Sequence, residues 1–144
     1  MYVNSSFMKM HLKREQGAFG MTALNDDGQT IRMDASPGIG GEGWGLRPME
    51  TVLAGLGGCS AIDIISILRK QKQEPEAFEV ALEAQRDPSQ TPSVFRQIHV
   101  IFRYRGAPHD KVVRAAALSM EKYCSVTAML QATATITHSV EPLD

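Results

Sequence analysis

One stretch, Pro48 to Lys72 (PMETVLAGLGGCSAIDIISILRKQK), constrains the fold of this chain more than any other. On a helix, Val52, Leu53, Leu56, Ile62, Ile64, Ile65, Ile67 and Leu68 surround nearly the whole circumference. Pro48 suits a first turn, where a missing N–H costs nothing, and Glu50 suits the positive end of the helix dipole. A helix that is apolar all round is buried in a core or in a membrane. Asp63 and Gly57-Gly58 interrupt the run and leave fewer than about 18 uninterrupted apolar residues, so a central core helix is expected, not a membrane span. Midway along it sits Cys59.

Small residues surround that cysteine: Gly55, Gly57, Gly58, Ser60 and Ala61. A glycine inside a helix costs about 1 kcal/mol against alanine, so the cluster needs a physical reason. Two stand open: close packing of another helix, or a pocket through which a small molecule reaches the sulfur. The other cysteine is Cys124, and the first residues, MYVNSSFMKMHLKRE, contain no apolar leader segment. Such usage argues against a disulfide framework and for thiols in a reducing compartment, hence a cytoplasmic protein. With 144 residues the chain is read as a single domain, 1–144, and its net charge of −1 offers no field for nucleic acid or an anionic membrane.

Taken in order, Phe7 to Lys13, Ala18 to Asn25 and Gln29 to Asp34 read as an antiparallel meander, its second turn marked by Asn25-Asp26-Asp27-Gly28. Ser36 to Arg47 is glycine-rich and satisfies G-x-G-x-x-G at Gly38, Gly40 and Gly43. In a dinucleotide site the last glycine opens a helix, yet here the helix begins only at Pro48. A mobile flap or a plain linker is expected instead. After the long helix, Phe78 to Gln85 and Gln97 to Arg105 alternate as a hairpin, with His99 on the face of the arginines and therefore solvated. A second helix, Pro108 to Tyr123, breaks at Tyr123-Cys124-Ser125 and continues as a short helix, Val126 to Gln131. The last strand, Thr133 to Val140, puts His138 on its apolar face, as a core or edge histidine. The class is α+β.

The two cysteines differ in setting. Cys124 precedes a short helix, whose free N–H groups are expected to lower its pKa. Cys59 lies about three turns into its own helix, and Asp63 at i+4 leans toward it, so an ionised carboxylate opposes a thiolate there. A reactive Cys59 therefore needs a cation from elsewhere in the fold. Four histidines in different elements, with no C-x₂-C pair, argue against a zinc site, and no metal or cofactor is expected.

The segments RPMETVLAGL, GGCSAIDIISIL and EKYCSVTAML together resemble the OsmC/Ohr family, the osmotically induced and organic-hydroperoxide-resistance proteins. The resemblance runs from about Met8 to the last strand and is nearest to a bacterial OsmC-like branch. It implies an OsmC-like fold with a long buried central helix, and a thiol peroxidase acting on organic hydroperoxides in oxidative stress. Cys59 matches the peroxidatic cysteine, Cys124 the resolving cysteine, and Glu50 the glutamate that orients a catalytic arginine. Arg14, in Lys13-Arg14-Glu15-Gln16-Gly17, is the nearest match to that arginine, although its context departs from the family turn; Arg32 and Arg47 are the other arginines before the long helix. The implied cycle is a Cys59 sulfenic acid, a Cys59–Cys124 disulfide, and reduction by an external thiol or dithiol, lipoyl-based in some relatives. The alternative is a non-catalytic stress protein that binds a small apolar molecule and whose cysteines are unreactive.

The long helix also bears on assembly. Its apolar girth exceeds what the other elements of one chain can cover, so a second copy across a two-fold axis is expected, and the family resemblance likewise implies an intertwined homodimer. Glu50 and Cys59 are nine residues apart, half a turn out of phase and about 13 Å apart along a continuous helix. Glu50 is thus expected to serve the Cys59 of the partner.

Overall fold

The computed structural model describes residues 7–144, and part of the stretch read as lacking a leader lies outside them. The chain divides into two compact units, the first ending at Val52 and the second running from Leu53 to Asp144.

In the first unit, β1 (Met10–Gln16), β2 (Gly20–Asn25) and β3 (Thr30–Met33) form the expected antiparallel meander. β1 starts three residues later than Phe7, because its register is set by Met10 opposite Asn25 and Leu12 opposite Ala23. One face carries Met10, Leu12, Arg14, Met21, Ala23, Ile31 and Met33. The other is polar, with a Thr22 hydroxyl donating to Glu15 at 3.0 Å and a Lys13–Glu15 ion pair at 3.3 Å.

The glycine-rich segment is neither flap nor bare linker. The buried Asp34 carboxylate accepts N–H bonds from Ala35, Glu42 and Trp44 at 2.8, 2.9 and 3.2 Å. Those bonds hold its pKa below the usual carboxylate value, the ones from Glu42 and Trp44 foremost. The segment then returns alongside β3, with Leu46 N–H on the Arg32 carbonyl and Asp34 N–H on the Leu46 carbonyl. Gly41 and Gly45 press directly on the backbones of Ala35 and Arg32, leaving no room for a Cβ. Arg32 stacks on the Trp44 ring at 4.8 Å. The glycines are there for close approach and the turn.

The long helix, α1 (Pro48–Lys70), is continuous and crosses the boundary between the units. Glu50 caps its start, accepting the Arg47 N–H at 2.9 Å from the N3 position. Beyond Val52, Leu56, Ser60, Ile64 and Leu68 form a fully buried stripe at four-residue spacing. Within the chain the apolar girth is otherwise incompletely covered: Ile62 is 70% exposed and Val52 37%.

The second unit has a three-stranded sheet in the order β4-β5-β6, with β4 (Ala77–Arg86), β5 (Phe95–Arg105) and β6 (Thr135–Pro142). β4 and β5 are the expected hairpin; β6 runs parallel to β5, which the intervening helices permit by making the crossover. Ile98, Val100, Phe102 and Tyr104 are buried together with Val112, Ala115 and Ala116 of α2 (His109–Leu118). Gly57 lets α1 approach β4, since a Cβ there would lie 2.9 Å from Leu82 Cδ1. His138 is opposite Val100 on the inner face, its ring 6.2 Å from that of Phe102, and burial lowers its pKa. His99, on the outer face, bonds Thr137 at 2.7 Å and Ser139 at 3.2 Å through its two ring nitrogens.

Candidate active site

The site is assembled where α1 meets the end of α2. The sequence reading carried the second helix through to Tyr123, but the α-helical pattern ends at Leu118. Ser119–Tyr123 then winds as a π turn, closed by the Cys124 N–H on the Ser119 carbonyl at 2.8 Å, five residues back. Cys124 follows with extended backbone and caps α3 (Ser125–Leu130), its sulfur accepting the Thr127 N–H at 3.4 Å. The Ser119 hydroxyl, fully buried, lies 3.1 Å from Asp63 Oδ2 and 3.3 Å from the Ser60 carbonyl, fastening the π turn to the middle of α1.

This fastening brings three titratable side chains together. The sulfurs of Cys59 and Cys124 and a carboxylate oxygen of Asp63 all lie within 4.8 Å of one another. Cys59 and Asp63 are one helical turn apart and share a face. Both cysteines are free thiols; Cys59 is half-buried, whereas Cys124 is only 3% exposed. The two residues matched as a reacting pair therefore face each other, one half-exposed and one sealed.

Cys124 departs from expectation in one respect. The Thr127 N–H does favour its thiolate, but burial outweighs that bond and the neighbouring Cys59 adds to it, so the thiol is pushed up. Beside the pair lies an open cleft of about 560 Å³ lined by Asp63, Ile67, Lys70, Leu118 and Tyr123 among others. Gly55 and Gly58 have open space where a Cβ would be. The glycine cluster thus combines both readings: Gly57 serves packing, against a strand and not a helix, and its neighbours leave room.

A sequence model of the OsmC-like protein family matches residues 40–139. The chain belongs to the OsmC-like family. This OsmC-like chain is 42% identical to Protein YhfA of Escherichia coli K12 over 126 residues, which is 85% of the chain and 90% of that protein. Among solved structures, it superposes on an OsmC-like protein from Mycoplasma pneumoniae with a TM-score of 0.79 at 16% identity, covering 96% of this chain and 99% of the other. An organic hydroperoxide resistance protein OsmC from Legionella pneumophila gives a TM-score of 0.70 at 17% identity, over 94% and 96%. At these identities the structures establish the fold, which is the α+β OsmC-like fold expected from the sequence.

Of the other residues singled out, Arg14 and Glu50 belong to the first unit. Arg14 is exposed on β1 opposite Met21, at the edge of the apolar face, next to a small apolar hollow lined by Leu12, Phe19, Met21, Met33 and Pro48 among others. Glu50, besides capping α1, makes no ion pair among the described residues. Asp63 and Ser119 are what the sequence reading did not assign to the site. Asp63 was legible through its i+4 spacing from Cys59. Ser119 was not, because nothing in the sequence marks a π turn.

Proposed function

We propose that this OsmC-like protein is a thiol-dependent peroxidase that reduces organic hydroperoxides, and that Cys59 is its peroxidatic and Cys124 its resolving cysteine. The observation that carries the reading is the facing pair of free sulfurs, one half-exposed and one buried. The Cys59 thiolate attacks the terminal peroxide oxygen and the O–O bond breaks. The alkoxide takes up a proton and leaves as the alcohol, and Cys59 becomes a sulfenic acid. Cys124 then attacks the Cys59 sulfur; the S–OH bond breaks and the thiol proton leaves with hydroxide as water. An external thiol or dithiol restores both thiols by exchange.

The apolar part of the cleft beside Asp63 favours an organic peroxide over hydrogen peroxide. Arg14, an exposed cation bordering apolar surface, is our candidate for stabilising the developing alkoxide, with Glu50 holding it through the carboxylate oxygen that the helix cap leaves free. The uncovered face of α1 supports a homodimer, in which Glu50 and Arg14 of one chain serve the partner's Cys59.

One equivalent of cumene hydroperoxide should remove both free thiols and give an intramolecular Cys59–Cys124 peptide pair on non-reducing mapping. Cys59→Ser should abolish peroxide consumption, whereas Cys124→Ser should keep one turnover and a trappable sulfenic acid. Undiminished consumption in both variants would overturn the roles given to the two cysteines, and two thiols remaining after peroxide would leave the non-catalytic reading in its place.

A further inference from the structure

The convergence of Cys59, Cys124 and Asp63 has a chemistry apart from peroxide. We infer that in the reduced protein these three side chains bind a thiophilic divalent cation of the zinc class. Two cysteine sulfurs and one carboxylate oxygen converge within 4.8 Å, and no Lys or Arg nitrogen forms an ion pair with Asp63 among the described residues. Tetrahedral zinc holds thiolate sulfurs at about 2.3 Å, so two of them stand about 3.8 Å apart and the two sulfurs have to close by no more than about 1 Å.

The surroundings fit the same ligand. Cys59 and Asp63 present their donors from one face of a rigid helix, at the i, i+4 spacing that lets two side chains grip one ion. The Ser119 hydroxyl donates to Asp63 Oδ2 and so fixes the carboxylate, the usual arrangement behind a metal ligand. Cys124 closes the site from the opposite wall, its sulfur aimed by the Thr127 N–H. The half-exposed side at Cys59 leaves a fourth position for water. Sulfur donors select zinc-like ions over magnesium or calcium, which prefer oxygen alone.

Binding displaces one proton from each thiol, so it strengthens as pH rises. The metal and an oxidant compete for the same two sulfurs: a bound cation hides both, and a disulfide offers no thiolate to bind.

The test uses the full chain, reduced and anaerobic, with Co²⁺ alone as probe and Zn²⁺ as competitor. The expected result is one Co²⁺ per protomer, with a thiolate-to-cobalt charge-transfer band and the visible bands of tetrahedral cobalt, both bleached by Zn²⁺. Cys59→Ser and Cys124→Ser should each lose the charge-transfer intensity of one thiolate and weaken binding. Ser119→Ala should weaken it about tenfold, as loss of a supporting hydrogen bond does, and Asp63→Asn by more. The disulfide form should give no band. A band that survives intact in either cysteine variant, unchanged affinity in Asp63→Asn with its fold verified by circular dichroism, or no band in the reduced wild type would each overturn the assignment. No peroxide enters the measurement, so its failure and that of the peroxidase reading are separately visible.

Discussion

Cys124 is where local and tertiary effects disagree. Its place ahead of α3 and the Thr127 N–H on its sulfur favour a thiolate, and the sequence made that part legible. Its burial against the middle of α1 opposes the thiolate and wins. No reading of EKYCSVTAML could supply the second effect, since it depends on packing against a helix centred some 65 positions away. The consequence is measurable. In the reduced native protein at pH 7.5, iodoacetamide should modify Cys59 first, with Cys124 at least about tenfold slower through lost thiolate and access. In urea the two should react at similar rates. Equal native rates would contradict the burial described for Cys124. Asp63 teaches the complementary lesson: its spacing from Cys59 was plain in the sequence, but its effect was read only as repulsion, because the second sulfur that turns repulsion into a donor set comes from another element.

At the scale of elements, period-two and helical patterns located the six strands and three α-helices of the described residues, while boundaries followed tertiary pairing. β1 moved toward the turn because β2 fixes its register, and the second helix yielded its last turn to a π turn that fits Ser119 under Asp63. The glycine-rich segment was the least legible, since its order comes from a single acceptor, Asp34, that gathers three N–H groups across ten residues. That carboxylate has a folded pKa below its unfolded value. Its contribution is therefore fully present above the unfolded pKa of about 3.9 and is lost as pH falls through the folded pKa. Asp34→Asn should melt at a lower temperature than wild type at pH 7, and the difference should shrink toward zero as pH drops through that window. A difference that persists undiminished in acid would show that charge is not what holds the segment.

For the whole molecule, the exposed side of α1 is the unfinished part. The sequence placed an apolar girdle around this helix, and one protomer buries a single stripe of it. If a second copy covers the remainder, Ile62→Glu should convert a dimer into monomers in sedimentation velocity without unfolding the second unit, because Ile62 takes no part in the buried stripe. The proposed dimer also allows complementation. Glu50→Ala and Cys59→Ser chains, co-refolded, should recover activity in the heterodimer, at about one good site in two. No recovery despite confirmed subunit exchange would assign Glu50 to its own chain's site.

The π turn has a temporal meaning in the proposed cycle. Cys124 is tethered at both ends, by its N–H to the Ser119 carbonyl and by its sulfur to the Thr127 N–H, and it is walled off from solvent. To close on an oxidised Cys59 it has to surrender the Thr127 bond and swing within a packed interior, which is slower than the free rotation of an exposed side chain. That delay is the lifetime of the sulfenic acid. During it a second peroxide molecule competes with Cys124, and its product, the sulfinic acid, does not return through thiol exchange. The tightness of one turn of backbone thus sets a dose threshold: below it each oxidation is recycled, and above it the protein is consumed by its own substrate.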